Sequence, residues 1–269
     1  MRRRWLGVYA VAYLLFLYAP ILLLPLFAFN ASTIIAFPLQ GFTTEWFVDL
    51  TTVSALHDAV KNSLLIALVT AVLSTVLGIC AARAGARYSF PAKSPIMGFI
   101  MVPLVLPEII VGVSLLVLLI QILGVSLSSL TVILGHVLIC TPFSVSILNT
   151  SFQSLDPALE EAAVDLGETP WSSFRLIVLP LVTPGLISSF LIAFTISFDE
   201  FIIAFFLSGV EPTLPVYIWG QLRFPQQLPV IMALGTILVG FSILLLTVAE
   251  IFRRRGLARA GALDQGGFL

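Results

Sequence analysis

Three carboxylates carry the clearest chemical hint in this 269-residue chain. Glu108, Asp199 and Glu200 each lie in a stretch that is otherwise apolar. An ionised side chain at the centre of a bilayer costs roughly 2.5–3.5 kcal/mol on insertion scales. No Lys or Arg stands at comparable depth to neutralise them. Unpaired acids in such surroundings suit a path for something positively charged. Other readings of the same residues stay open. Glu108 follows Pro107, with Pro103 one turn earlier, so it could serve backbone groups freed by a broken helix. Asp199 and Glu200 are adjacent, so on a helix they point about 100° apart. The row Gly185, Ser189, Ala193, Ser197, Glu200, Ala204, Ser208 is small or polar throughout. That pattern is typical of a close helix–helix interface. His136, with Pro142 beyond it, reads as a satisfied interface histidine.

A second candidate is polar. The stretch "EEAAVDLGETPWSSFRLIVLP", Glu160–Pro180, interrupts the apolar second half of the chain. Asp156-Pro157 and Thr169-Pro170 are both helix starts: a capping side chain, then a proline where no amide hydrogen is needed. Gly167 is a helix stop. The spacing predicts two short helices, the first through "ALEEAAVDL" and the second to about Leu179. A helix this short is marginal alone in water. Ala162, Ala163 and Leu166 would form a small apolar face ringed by Glu160, Glu161 and Asp165. Such a face could dock in a groove of another protein or rest on a membrane surface. Surface-lying helices are usually rich in Lys and Arg, and this one has none before Arg175.

The elements that must position these residues are membrane helices. The chain is 59% hydrophobic and 10% charged, against about 25% charged for a soluble domain. No charge falls in Trp5–Thr44, Asn62–Ala82, Ile109–Leu155, Leu176–Phe198 or Phe224–Ala249. A spanning helix needs roughly 20 apolar residues. The runs are continuous rather than alternating, which favours helices over barrel strands. Six spans are expected: Trp5–Phe29, Lys61–Ala82, Ile96–Leu123, Ser126–Asn149, Leu181–Ser208 and Pro229–Phe252. The fold class is therefore an all-α integral membrane protein, one domain over residues 1–269, with a loop at about 150–180. The first apolar run, at 25 residues, exceeds the roughly 7–15 of a secretory signal core, so an uncleaved span is expected.

Orientation follows from the basic residues. Arg2, Arg3, Arg4, Arg83, Arg87, Lys93, Arg175, Arg253, Arg254, Arg255 and Arg259 fall on one side, leaving Lys61 and Arg223 as exceptions to the 13. Both termini and the Glu160–Pro180 loop are thus expected in the cytoplasm. Cys80 and Cys140 lie inside spans and imply no disulfide framework. No nucleophile–base pair or metal-ligand cluster appears. Neither lysine follows a glycine, so no phosphate-binding loop is present.

With these elements in place, the loop resembles the EAA signature of permease subunits in binding-protein-dependent ABC importers. Glu161-Ala162-Ala163 is followed by three residues, Gly167, nine residues, and Ile177-Val178-Leu179-Pro180. "SFDEFIIAFFLSG" at Ser197–Gly209, "LPEIIVGVSLLVL" at Leu106–Leu118 and "QGFTTEWF" at Gln40–Phe47 are similar to the second permease subunit of spermidine/putrescine importers. The resemblance implies a type I ABC importer permease fold in a bacterial inner membrane. It implies that Glu160, Glu161, Ala162, Ala163, Gly167 and Trp171 couple to a cytoplasmic ATPase. ATP and Mg would sit on that partner, with no cofactor in this chain. The implied partners are an ATPase dimer, a homologous second permease, a periplasmic substrate-binding protein and membrane lipid, with no nucleic acid. Relatives for opines, other amines or ferric ion share much of this sequence, so the solute stays open. A proton-linked secondary transporter using Asp199 or Glu108 is the alternative class.

Overall fold

The computed structural model describes residues 2–241 and 243. Their regular structure is helical. The first helix, α1 (Arg2–Ala28), contains Pro20 and Pro25. A short α2 (Glu45–Asp49) follows in the next loop. The 34-residue α3 (Ser54–Arg87) is longer than the expected span. At 1.5 Å per residue it reaches about 51 Å, well beyond the roughly 30 Å of a hydrocarbon core. Arg83 and Arg87 therefore ride on its last turns, where a connecting loop was expected.

The stretch expected as a third span, Ile96–Leu123, is not one helix. It comprises α4 (Lys93–Ile100), a 3-10 turn at Val102–Leu104, and α5 (Glu108–Val117), which ends in a π-helical turn at Leu118–Ile122. Pro103 and Pro107 explain the break: neither has an amide hydrogen, and each clashes with the preceding turn. The long α6 (Ser129–Gln153) carries Pro142 without interruption. The loop then supplies α7 (Pro157–Asp165) and α8 (Pro170–Ser173).

The chain does not stop at Pro180 as expected. A π-helical turn at Phe174–Val178 leads directly into α9 (Leu179–Asp199). Pro180 lies in the first turn of α9, where the wider turn before it absorbs the missing hydrogen bond. The fifth span breaks instead at Glu200, and a half-helix, α10 (Ile202–Leu207), continues it. The next loop holds α11 (Leu214–Gln221), and the last described helix is α12 (Pro225–Phe241). The remainder of the expected span Pro229–Phe252, and Arg253, Arg254, Arg255 and Arg259 after it, lie outside the described residues. Four of these helical stretches are long and apolar enough to cross a membrane: Trp5–Ala28, Ser54–Arg87, Ser129–Gln153 and Pro170–Asp199.

The described helices group into two compact units, one of residues 2–54 with 218–241, the other Ala55–Tyr217. In the first, Asn30 organises the loop after α1. Its side chain accepts from the Gln40 amide at 3.1 Å, and its carbonyl accepts from the Trp46 indole at 2.7 Å. In the second, α6 packs along α9 and against α10. The core gathers Ile66, Val132, Ile139, Ala193, Ile203 and Leu207. Near the loop a smaller cluster joins Leu148, Phe152, Val178 and Val182. Gly135 makes the fit with α10 possible. A Cβ there would lie 2.6 Å from Ile203 and 2.8 Å from Leu207.

Candidate functional site

The loop is built as its residue types dictate. The Asp156 carboxylate accepts from the Ala158 amide at 3.0 Å, and the Thr169 hydroxyl accepts from the Ser172 amide at 3.2 Å. Gly167 adopts φ +87°, in the left-handed region. Its amide donates to Val164, and the Glu168 amide donates to Ala163. This is the two-bond closure that ends many helices and that favours glycine at this position.

The expected apolar face of α7 divides in two. Ala163 is buried against the rest of the unit, while Ala162 and the 87% exposed Leu166 face outward, with Leu159 on the same row. Glu161 is exposed beside them, and Trp171 is 69% exposed, its ring tilted 33° against that of Phe174 at 5.8 Å between centroids. Glu160 turns the other way. One carboxylate oxygen accepts from Arg83 at 3.2 Å, and the other accepts from Arg87 at 2.9 Å. The sequence reading grouped Glu160 with the outward residues and missed both arginines. Their i, i+4 spacing on one helix face was the available signal.

The three acids sit at the two helix breaks. Glu108 is the first residue of α5 and is exposed, following Pro107. Asp199 is the last residue of α9 and is also exposed. Glu200 is buried, and its carboxylate accepts from the Ile203 amide at 2.9 Å. That bond caps α10: the acid takes over an amide that the interrupted helix leaves free, at the positive end of the half-helix dipole. α5, which begins at Glu108, packs against α10, which Glu200 caps. No ion pair reaches any of the three among the described residues. The two breaks thus lie on helices that pack against each other.

The small-residue row proves to be an interface. Ser189, Ala193, Ser197, Glu200, Ala204 and Ser208 are all buried. Ser197 bonds His136 Nδ1 at 2.8 Å, and Cys140 Sγ approaches the Ala193 carbonyl at 3.7 Å. His136 is fully buried, with Nε2 unpartnered among the described residues.

Comparison with known proteins identifies the family. Residues 74–255 match the family described as binding-protein-dependent transport system inner membrane component. The chain is 36% identical over 247 residues to the putrescine transport system permease protein PotI of Escherichia coli K12, covering 89% of this chain and 87% of that protein. It is 31% identical over 249 residues to the spermidine/putrescine transport system permease protein PotC of the same strain, covering 92% and 93%. A solved bacterial ABC transporter involved in the import of the acidic polysaccharide alginate aligns with TM-score 0.70 at 15% identity, over 94% of this chain and 97% of that one. A second alginate transporter structure, in complex with a periplasmic protein bound to alginate pentasaccharide, gives 0.70 at 20% identity over 99% and 98%. These structures share the type I ABC importer permease fold. The chain belongs to the binding-protein-dependent inner membrane component family, as a multi-pass inner-membrane transport subunit rather than an enzyme.

Proposed function

We propose that this chain forms half of the translocation pathway of an ATP-driven polyamine importer, with six spans and both termini in the cytoplasm. The similarity to putrescine and spermidine/putrescine permeases over about nine tenths of the chain carries the reading. The asymmetry of Lys and Arg supports the orientation. A homologous second permease completes the pathway, a periplasmic binding protein delivers the solute, and two copies of an ATPase hydrolyse Mg-ATP beneath it.

In this reading Ala162, Leu166 and Trp171 enter a cleft of the ATPase, with Glu161 beside them. Ala163 anchors the underside of α7, Gly167 sets the turn between α7 and α8, and Glu160 holds the helix in place. Closure of the two ATPase copies pushes on the loop, and α6 and α9, joined to it by the chain, move in response. Glu108 and Asp199, exposed at the breaks, attract the ammonium groups of the solute, while Glu200 holds the half-helix. Weak attraction suffices, because the site must release its cargo once the cavity opens inward.

The complete importer reconstituted in vesicles tests this reading. ATP-dependent putrescine or spermidine uptake that survives an uncoupler supports it. Uptake that collapses with the proton gradient assigns the chain to proton-linked transport. A cognate binding protein that retains an opine or ferric ion, and no polyamine, changes the solute.

A further inference from the structure

We infer that Glu160 is a positioning residue that clamps the loop to α3, so that a push on the loop moves a helix to which the loop is not covalently joined. The inference rests on the proposed reading of the loop as the ATPase lever.

The loop joins α6 to α9, so α3 is outside that covalent path. Arg83 and Arg87 nevertheless hold the loop at its entry, middle and exit. Arg87 Nη2 donates to the Leu155 carbonyl at 3.0 Å, just after α6. Both arginines donate to Glu160 in α7, one to each carboxylate oxygen. The Arg83 guanidinium lies 4.4 Å over the Phe174 ring, at the foot of the fifth span. Higher up, α3 meets the other two helices through small and hydroxyl side chains. A Cβ on Gly78 would lie 2.8 Å from Ser144, and the Thr75 and Ser189 hydroxyls are 3.5 Å apart. That seam allows close approach but provides few directional bonds. The directional bonds of α3 lie at its two ends: at Asn62 and Ser63, which bond Glu211, Ser129 and Leu214, and at Arg83 and Arg87, which tie it to the loop.

The geometry differs from that of an ordinary surface pair. Arg83, Arg87 and Glu160 have side chains 15%, 17% and 23% exposed. Lys61 and Asp58, elsewhere in the chain, are 3.7 Å apart and 77% and 76% exposed. Partly buried charges are screened less than exposed ones. Loss of the carboxylate would leave two like charges four residues apart on one helix, which repel. Glu160→Gln therefore loosens the loop and strains the end of α3 at once.

The test measures uptake and ATP hydrolysis together in vesicles holding the complete importer. Glu160→Gln is expected to lower putrescine uptake per ATP hydrolysed at least fivefold while the subunits still co-purify. The permutation Glu160→Arg with Arg87→Glu keeps two cations and one anion in the cluster, and is expected to recover at least half of the loss. A ratio within twofold of wild type in Glu160→Gln overturns the inference. So does a permutation that recovers nothing, or a Glu160→Gln complex that falls apart, which would make Glu160 an assembly residue. Wild-type vesicles without ATP-dependent uptake defeat the underlying reading instead.

Discussion

Adjacent acids can do different work when the helix breaks between them. Asp199 ends α9 and faces outward, whereas Glu200 turns inward and caps α10. Substitution separates the two roles. Asp199→Asn and Glu108→Gln should each reduce polyamine uptake severalfold while the subunit still assembles; normal uptake by both removes the proposed acid path. Glu200→Ala should destabilise the unit by about 0.5–2 kcal/mol, the usual range for a lost helix cap. Glu200→Gln keeps an oxygen for the Ile203 amide and should recover most of that loss. Thermal unfolding of the purified subunit in detergent distinguishes the pair.

At the level of the element, glycines decide what can approach what. Gly167 holds φ +87°, and its replacement by Val should cost about 1–2 kcal/mol through the left-handed backbone alone. The expected result is a disordered turn between α7 and α8 and weaker retention of the ATPase on affinity purification. Gly135→Leu would drive a side chain into Ile203 and Leu207, and overpacking of this kind costs about 1–3 kcal/mol. Its melting temperature should fall below that of Gly135→Ala, which in turn should fall below wild type. An unchanged melting temperature in both would mean that α10 does not pack on α6 as described.

For the whole molecule, the exposed apolar side chains at the loop matter most. Trp171 and Leu166 are the most exposed apolar side chains of the loop, with Leu159 and Val164 less so. A tryptophan at the centre of an interface often contributes about 2 kcal/mol or more, roughly 30-fold in affinity. Trp171→Ala should weaken ATPase binding by that order, read as a dissociation constant with the detergent-solubilised permease pair. Unaltered affinity would place the ATPase contact elsewhere.

Much of this was legible from residue types alone. The charge-free runs located the four helices long and apolar enough to cross a membrane, because a bilayer excludes charge over a fixed thickness. Asp156-Pro157, Gly167 and Thr169-Pro170 located the loop helices, because capping is local chemistry between residues two to five apart. The interruption at Glu200 was not legible. Without proline or glycine there, it depends on a side chain buried by α10 packing on α5 and α6. The continuation through Pro180 was equally hidden, since a π-helical turn looks like any other apolar helix in sequence. The inward turn of Glu160 required Arg83 and Arg87, more than 70 residues earlier. Sequence by itself determined what each residue prefers within a few turns; the tertiary structure alone decided which distant partner each preference would meet.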